Sequence, residues 1–217
     1  MPLTASDSGG KDFEPTEAGV HHAVCYFVID IGTQPSNNPL YADAHRCIIG
    51  WELPELRISI ESDGERVDKP RVISRELTIS LSEKSHMRPL LESWRGKPFN
   101  MQELLAFDLG NLIGVNCLLN VMHKESKGKT YANVATAMPL AKNMPKLKPE
   151  NPTIFYSIED DGFNFPKTIP EWIQKKIKNS IEYQNAGNPG YEEEQIGGYG
   201  EMGDAYAGDE IPENCPF

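Results

Sequence analysis

The sequence has no apolar run of about 20 residues, the length that a membrane-spanning helix requires. Its first 16 residues are polar and acidic. They lack the basic start and the apolar stretch of a secretory signal peptide, so none is expected. There is also no glycine-rich loop leading into Lys-Ser or Lys-Thr, the pattern that holds nucleotide phosphates. The lack of an apolar span and of a signal peptide favours a protein of the cytoplasm, or of the host-cell cytoplasm if a phage encodes it.

Cysteine is scarce and scattered. The four cysteines are Cys25, Cys47, Cys117 and Cys215. Three of them lie in apolar runs, which favours reduced thiols in an intracellular protein over a disulfide framework.

Metal chemistry has little support. A zinc site could be imagined from His21, His22 and Cys25, or from His45 and Cys47, but nothing pairs them at finger spacing. A nuclease would need carboxylates that converge on a metal ion. Asp30, Glu52 and Glu76 are predicted on separate strands, and a barrel with polar strand faces explains them equally well. We therefore expect no catalytic residue, no metal and no cofactor.

Charge is unevenly distributed. The net charge is −11, but residues 182–217 contain nine acidic residues and no Lys or Arg, which leaves −2 for residues 1–181. Residues 69–148 contain 13 Lys and Arg against six Asp and Glu. The chain therefore has a basic middle and an acidic end, so the total charge does not exclude nucleic acid as a partner.

Alternating apolar residues dominate residues 19–140 and predict strands. The predicted strands are 19–31, 44–53 (continued by 55–61), 70–80, 114–124 and 130–140. In the first, Ala23, Cys25, Phe27, Ile29 and Ile31 are expected to face the core. Helical spacing over 84–94 predicts a helix that ends near Gly96, with a second, short helix near 101–108.

The order β-β-β-α-β-β predicts a mainly β fold, a five-stranded OB-fold Greek-key barrel with a helix between strands 3 and 4. A general α+β sandwich is the alternative. Residues 1–18 are expected to be a disordered lead-in and 141–181 a Pro- and Lys-rich connector followed by a docking helix. In that helix Trp172, Ile173, Ile177 and Ile181 share one side. Residues 182–217 are predicted to be a disordered acidic tail.

The last nine residues are Asp209-Glu210-Ile211-Pro212-Glu213-Asn214-Cys215-Pro216-Phe217. They resemble the acidic C-terminal tip of bacterial and phage single-stranded DNA-binding proteins, except that Asn214 and Cys215 separate the acids from the final Pro-Phe. The resemblance implies an OB-fold core and a tip that recruits replication or recombination proteins. The partner-binding residues it implies are Asp209, Glu210, Ile211, Pro212, Pro216 and Phe217. An ordinary acidic end that finishes in Phe is the alternative.

The body, over about residues 19–140, is similar to a group of phage-encoded OB-fold proteins. The similar segments are Asp30-Ile31-Gly32-Thr33-Gln34, Gly50-Trp51-Glu52-Leu53, Ser80-Leu81-Ser82-Glu83-Lys84-Ser85 and Leu91-Glu92-Ser93-Trp94-Arg95-Gly96-Lys97-Pro98-Phe99. This resemblance supports the fold more strongly than the activity.

Binding a single strand without sequence preference requires cations along a groove and aromatic faces for the bases. The candidate cations are Arg46, Arg71, Arg75, Lys84, Arg88, Lys124, Lys127 and Lys129. The candidate stacking residues are Tyr26, Trp51 and Tyr131, although Trp51 also fits a core position and Tyr131 an ordinary strand surface. The lysines near 127 are equally compatible with a solvated hairpin.

The resulting hypothesis is a non-enzymatic, phage-type single-stranded DNA-binding protein of replication or recombination. An OB-fold module that binds a protein partner without DNA is the first alternative. A metal-dependent nuclease is a more distant one, and self-association into a homo-oligomer is left open.

Overall fold

The computed structural model describes residues 14–187, apart from residues 37, 63, 64 and 127. The predicted acidic tip and most of the predicted lead-in therefore lie outside the described residues. Within the described part of the chain, no helix is both long and apolar enough to cross a membrane.

The protein is mainly β, built on a six-stranded sheet that is not closed. Its strands are β1 (Gly19–Gln34), β2 (Ala44–Ser62), β3 (Glu65–Thr78), β4 (Asn116–Ser126), β5 (Lys129–Pro139) and β6 (Ile154–Tyr156). The hydrogen-bonded order is β3-β2-β1-β4-β5, all antiparallel, and β6 adds to β1 in parallel. The mainly β class is thus confirmed.

Short helices fill the connections. They are α1 (Met87–Arg95), α2 (Met101–Leu105), α3 (Ile158–Asp161), α4 (Glu171–Lys178) and α5 (Ile181–Ala186), with a 3₁₀ turn at Leu109–Leu112. The helix predicted between the third and fourth strands is α1. It ends, as expected, at Gly96, whose φ of 68° is the left-handed conformation that glycine adopts without strain.

Strand β1 changes its inward side at a bulge. Cys25 pairs with Trp51 and Phe27 pairs with Gly50, so Tyr26 is an extra residue in the ladder. An extra residue reverses the alternation of side chains beyond it. The five residues predicted to face the core are all buried, as expected, but they do not share one side of the sheet. Ala23 and Cys25 lie in one buried cluster, whereas Phe27, Ile29 and Ile31 lie in a second cluster on the opposite side of the sheet.

The two clusters divide the fold into an inner and an outer layer. The inner cluster contains Trp51, Leu91 and Trp94 and lies between the sheet and α1. The outer cluster lies between β1 and the C-terminal segment, where Ile169, Ile173 and Ile177 are at most 1% exposed. The predicted docking helix therefore packs on the sheet as α4, which begins after Pro170 and ends before Ser180.

Helix α5 extends past residue 182, where the disordered tail was predicted to begin. Glu182, assigned from the sequence to the acidic tail, lies in α5, and its carboxylate accepts hydrogen bonds from the backbone N–H and the hydroxyl of Thr33, at 2.8 and 2.6 Å. Residues 182–186, which were assigned from the sequence to the tail, are therefore helical.

Candidate nucleic-acid interface

Two of the three predicted stacking residues are buried. Tyr26 is 4% exposed in the outer cluster, and Trp51 is fully buried in the inner cluster, 5.6 Å from the ring of Trp94. The prediction that Tyr26 offers an exposed ring is wrong, because the bulge and the C-terminal segment enclose it. Trp51 occupies a core position, which was the alternative to a stacking role in the sequence analysis. Neither ring can stack on a base in this structure.

Arg46 lies on the outer side of β2, toward the C-terminal segment. Its guanidinium is 3.1 Å from the carboxylate of Glu76 on β3, and the same carboxylate is 2.5 Å from the ammonium of Lys176 on α4. Arg46 thus joins β2 and β3 to α4 through a shared acid. The expectation that it lines one groove with the cations of the last hairpin is corrected, because α4 occupies this part of the face.

Arg71 and Arg75 point to the inner side at the open edge of β3. The guanidinium of Arg75 donates to the carbonyl oxygens of Val134 and Ala135 on β5, at 3.1 and 3.3 Å. Arg71 donates to the carbonyl of Glu14, in the segment that precedes β1. Since no ladder joins β3 to β5 within the described residues, Arg75 bridges two strand edges that lack backbone pairing.

The two cations predicted at the entry of α1 differ in their surroundings. The guanidinium of Arg88 lies 3.1 Å from the carboxylate of Glu92, one turn along the helix. A hydrogen bond from the backbone N–H of Phe99, followed by this contact with Arg88, lowers the pKa of Glu92. Lys84 is exposed in the turn before α1. Neither residue lies on the β4–β5 hairpin.

The β4–β5 hairpin brings together the remaining predicted residues. Lys124 lies directly opposite Tyr131 in the antiparallel ladder, and Ser126 lies opposite Lys129. Alternation along both strands puts Lys124, Lys129 and Tyr131 on the outer side, because Val121 and Val134 point into the inner cluster. Both lysines are exposed and Tyr131 is partly exposed. Lys127, at the predicted turn, lies outside the described residues.

Two exposed apolar side chains on this side were not predicted. Val20 on β1 and Met122 on β4 are each 56% exposed. Val20 is paired with Asn120, and Met122 is paired with Asn133 next to the Lys124–Tyr131 pair. We call the side formed by Val20, Met122, Lys124, Lys129 and Tyr131 the hairpin face. Its apolar members could have been found from the sequence, since they occupy the solvent side of strands where polar residues are usual.

The acid of this hairpin points away from the face. Glu125 lies opposite Thr130, one residue beyond the Lys124–Tyr131 pair, and alternation puts it on the inner side. His123 shares that side and its Nε2 lies 2.8 Å from the carbonyl oxygen of Thr16. The hairpin face is therefore cationic, because Glu125, the acid of these two strands, lies on the opposite side of the sheet.

The carboxylates considered for a nuclease do not converge. Asp30 accepts hydrogen bonds from the backbone N–H of Gly32 and from His45, at 2.8 and 2.7 Å. Glu52 is fully buried and accepts from the connector, and Glu76 binds Arg46 and Lys176. No group of three or more potential ligands that could hold a metal ion occurs in the described ranges.

The three described cysteines are free and buried. Burial raises the pKa of Cys25 and Cys47 and raises that of Cys117 to about 12. Their thiols are thus protonated and unreactive at neutral pH. Cys215 and the predicted partner-binding residues lie outside the described residues.

No protein-family model matches the chain, and no curated protein matches it.

Proposed function

We propose that this protein binds single-stranded DNA without sequence preference, through the hairpin face. The observation that carries the proposal is the direct opposition of Lys124 and Tyr131 on an exposed side of the sheet. A lysine next to an accessible aromatic ring is the minimal unit of this recognition, since the cation meets a phosphate while the ring stacks on a base.

The strand connectivity supports an OB-type barrel as the scaffold. The order β3-β2-β1-β4-β5, with a helix between β3 and β4, is the one expected of that fold. Its remaining gap lies between β3 and β5, where Arg75 hydrogen-bonds across the two edges. OB folds commonly hold ligands with the loop between strands 4 and 5, which here is the tip of the proposed interface.

The biological setting is inferred from the sequence resemblance. We infer a phage-encoded protein that works in DNA replication or recombination in the host cytoplasm, without catalysis of its own. The acidic tail, ending in Pro216-Phe217, recruits partner proteins. In this mode of recognition an aromatic side chain fills an apolar pocket of the partner, and the acids before it speed the encounter.

The test is binding of the full chain to a fluorescent 30-mer oligonucleotide, measured by anisotropy over a series of salt concentrations. We expect affinity that falls steeply with salt. The variant Lys124→Gln/Lys129→Gln should weaken binding and flatten the salt dependence. The matched control, Lys167→Gln/Lys175→Gln, removes the same charge from exposed positions at the C-terminal segment and should bind as the unmodified protein does. Absence of binding at low salt would overturn the proposal.

A protein-interaction module is the second candidate, and one observation favours it. Arg46 and Arg88 contact acids of the same chain and Arg71 and Arg75 contact carbonyls, so part of the predicted positive charge serves the fold. On this alternative, Val20 and Met122 would meet an apolar protein surface. A partner retained from nuclease-treated extract, with no oligonucleotide binding by the isolated protein, would favour it.

A further inference from the structure

The connector between β5 and β6, residues 141–152, presents lysines on a fixed backbone. It contains Lys142, Lys146 and Lys148 among three prolines and two asparagines in irregular structure. All three lysines are exposed. We call this segment the lysine strap. In a loop that no other part of the protein holds, such lysines would be ordinary solvated charges. Whether they can form a preformed binding site therefore depends on the contacts that hold the backbone of this segment.

The first support is at Leu147. The side-chain oxygen of Asn116 accepts a hydrogen bond from the backbone N–H of Leu147 at 2.8 Å, and its amide nitrogen donates to the carbonyl of Leu147 at 2.9 Å. Asn116 is 9% exposed, and its oxygen is also 3.0 Å from Nε2 of His22. A buried amide therefore binds both backbone groups of the residue between two lysines.

The second support follows three residues later. The fully buried carboxylate of Glu52 accepts hydrogen bonds from the backbone N–H groups of Glu150 and Asn151, at 2.7 and 3.0 Å, and from the Asn151 side chain at 2.6 Å. Hydrogen bonds to a charged, buried acceptor are among the stronger ones in proteins. The strap is thus attached at two points.

The two supports belong to one row of the sheet. Val24 on β1 is paired both with Asn116 on β4 and with Glu52 on β2. The strap therefore crosses the outer side of β4, β1 and β2, transverse to the strands. Lys146 and Lys148 flank the attached residue and are exposed, and in the described part of the chain no acid forms an ion pair with them.

The strap and the hairpin face lie on the same side of β4. Asn116 and Lys124 are eight residues apart on this strand, and an even separation puts both on the outer side. At roughly 3.3 Å per residue their separation is about 26 Å. Leu118, Asn120 and Met122 lie between them, with no acid at these positions. The lysines at the two ends are positive, and the one acid of the strap, Glu150, forms an ion pair with Arg57.

We propose that the lysine strap is a second contact for the phosphate backbone of the single strand that the hairpin face binds. This inference rests on the proposed function. A strand that leaves the hairpin face along β4 meets Lys146 and Lys148 at its other end, already positioned by Asn116 and Glu52. Because the backbone is held before binding, little ordering is required when the strand arrives.

The experiment measures how the affinity of the full chain for the 30-mer depends on salt. For single strands, the slope of log K against log salt changes by about 0.7 for each phosphate contact. Lys146→Gln/Lys148→Gln should therefore reduce the slope by about 1.4. The control Lys167→Gln/Lys175→Gln should leave it unchanged, and Lys146→Arg/Lys148→Arg should restore it.

The outcomes separate this inference from the proposed function. If the unmodified protein binds and the strap variant keeps the full slope, the strap inference is wrong and the hairpin proposal stands. If the strap variant binds DNA more tightly than the unmodified protein, the strap serves an acidic protein segment instead, which also overturns the inference. If the unmodified protein does not bind at all, the proposed function itself fails.

Discussion

The carboxylate of Glu52 binds Asn151 twice, accepting hydrogen bonds from its backbone N–H at 3.0 Å and from its side-chain amide at 2.6 Å. The contact joins positions 99 residues apart in the chain. Glu52 is a buried acid with no cation bound to it by an ion pair in the described structure. Its charge is compensated by N–H groups of the connector, so the acid and the strap stabilise each other.

Replacing this acid should therefore reduce stability. Glu52→Gln keeps the size of the side chain but turns one of its acceptors into a donor, which would face an N–H group. We expect a loss of about 3 kcal/mol in the free energy of unfolding, in the range for breaking a buried charged interaction. Urea unfolding followed by circular dichroism measures it. The exposed Glu55 provides the control, since Glu55→Gln should change stability by less than about 0.5 kcal/mol. Equal midpoints for the two variants would contradict this role.

Gly50 should not tolerate a side chain. A Cβ placed there would lie 2.2 Å from the ring of Phe27, its partner across the β1–β2 ladder. Gly50→Ala should cost roughly 1–3 kcal/mol, the usual range for overpacking. The same measurement on Gly187→Ala, where the new carbon would lie 3.7 Å from the carbonyl oxygen of Gln184, should show little change. Combining Gly50→Ala with Phe27→Leu should recover part of the loss, and a fully additive pair would argue against this contact as the cause.

His45 should make stability depend on pH. Its hydrogen bond to Asp30 raises the pKa of the imidazole, with smaller favourable contributions from the charges of Asp30 and Glu182, against the opposing effect of burial. A raised folded-state pKa contributes stability that is fully present below the unfolded value near 6.5 and is lost as pH rises through the folded value. The unfolding free energy of the unmodified protein should therefore fall relative to that of His45→Gln as the pH rises above about 6.5.

Comparison of the two proteins isolates this histidine. The buried thiols of Cys25, Cys47 and Cys117 favour the folded state less once unfolded thiols ionise, but they contribute equally to both proteins. Parallel pH profiles for the unmodified protein and His45→Gln would contradict the predicted effect.

Tyr131 tests the stacking part of the proposed function. Tyr131→Ala should weaken oligonucleotide binding by about 1–3 kcal/mol, the measured range for one stacked base, while Tyr131→Phe should retain most of the affinity. Tyr41, 39% exposed in the loop between β1 and β2, gives a control at a different loop, and Tyr41→Ala should bind normally. An unchanged affinity for Tyr131→Ala would remove this ring from the interface.

Local patterns predicted most of the elements. The hairpin around Gly128, the helix that ends at Gly96 and the strand faces of Cys47 and Trp51 depend on residues close in the chain, and the structure contains them. The same patterns failed at Tyr26, because a bulge depends on how two strands pair and leaves no mark in the alternation of one of them.

The candidate cations show the same difference between features that depend on neighbouring residues and features that depend on distant ones. Arg46, Arg75 and Lys124 belong to one predicted set because each is basic and lies on a strand. The structure shows that the partners of the two arginines are distant from them in sequence. Glu76 and the carbonyls of β5 bind the first two, and only the hairpin residues stay together, because a two-strand ladder with a short turn determines its own register.

By itself, the sequence determined the strands, the position of the main helix and the separation of the basic middle from the acidic end, because these follow from periodicity and composition. Only the tertiary structure decided which arginines serve the fold, that Tyr26 is buried and that the connector is held over the sheet by Asn116 and Glu52. The physical reason is that burial and hydrogen bonding of polar groups are set by partners far away in the chain, and no local pattern encodes them.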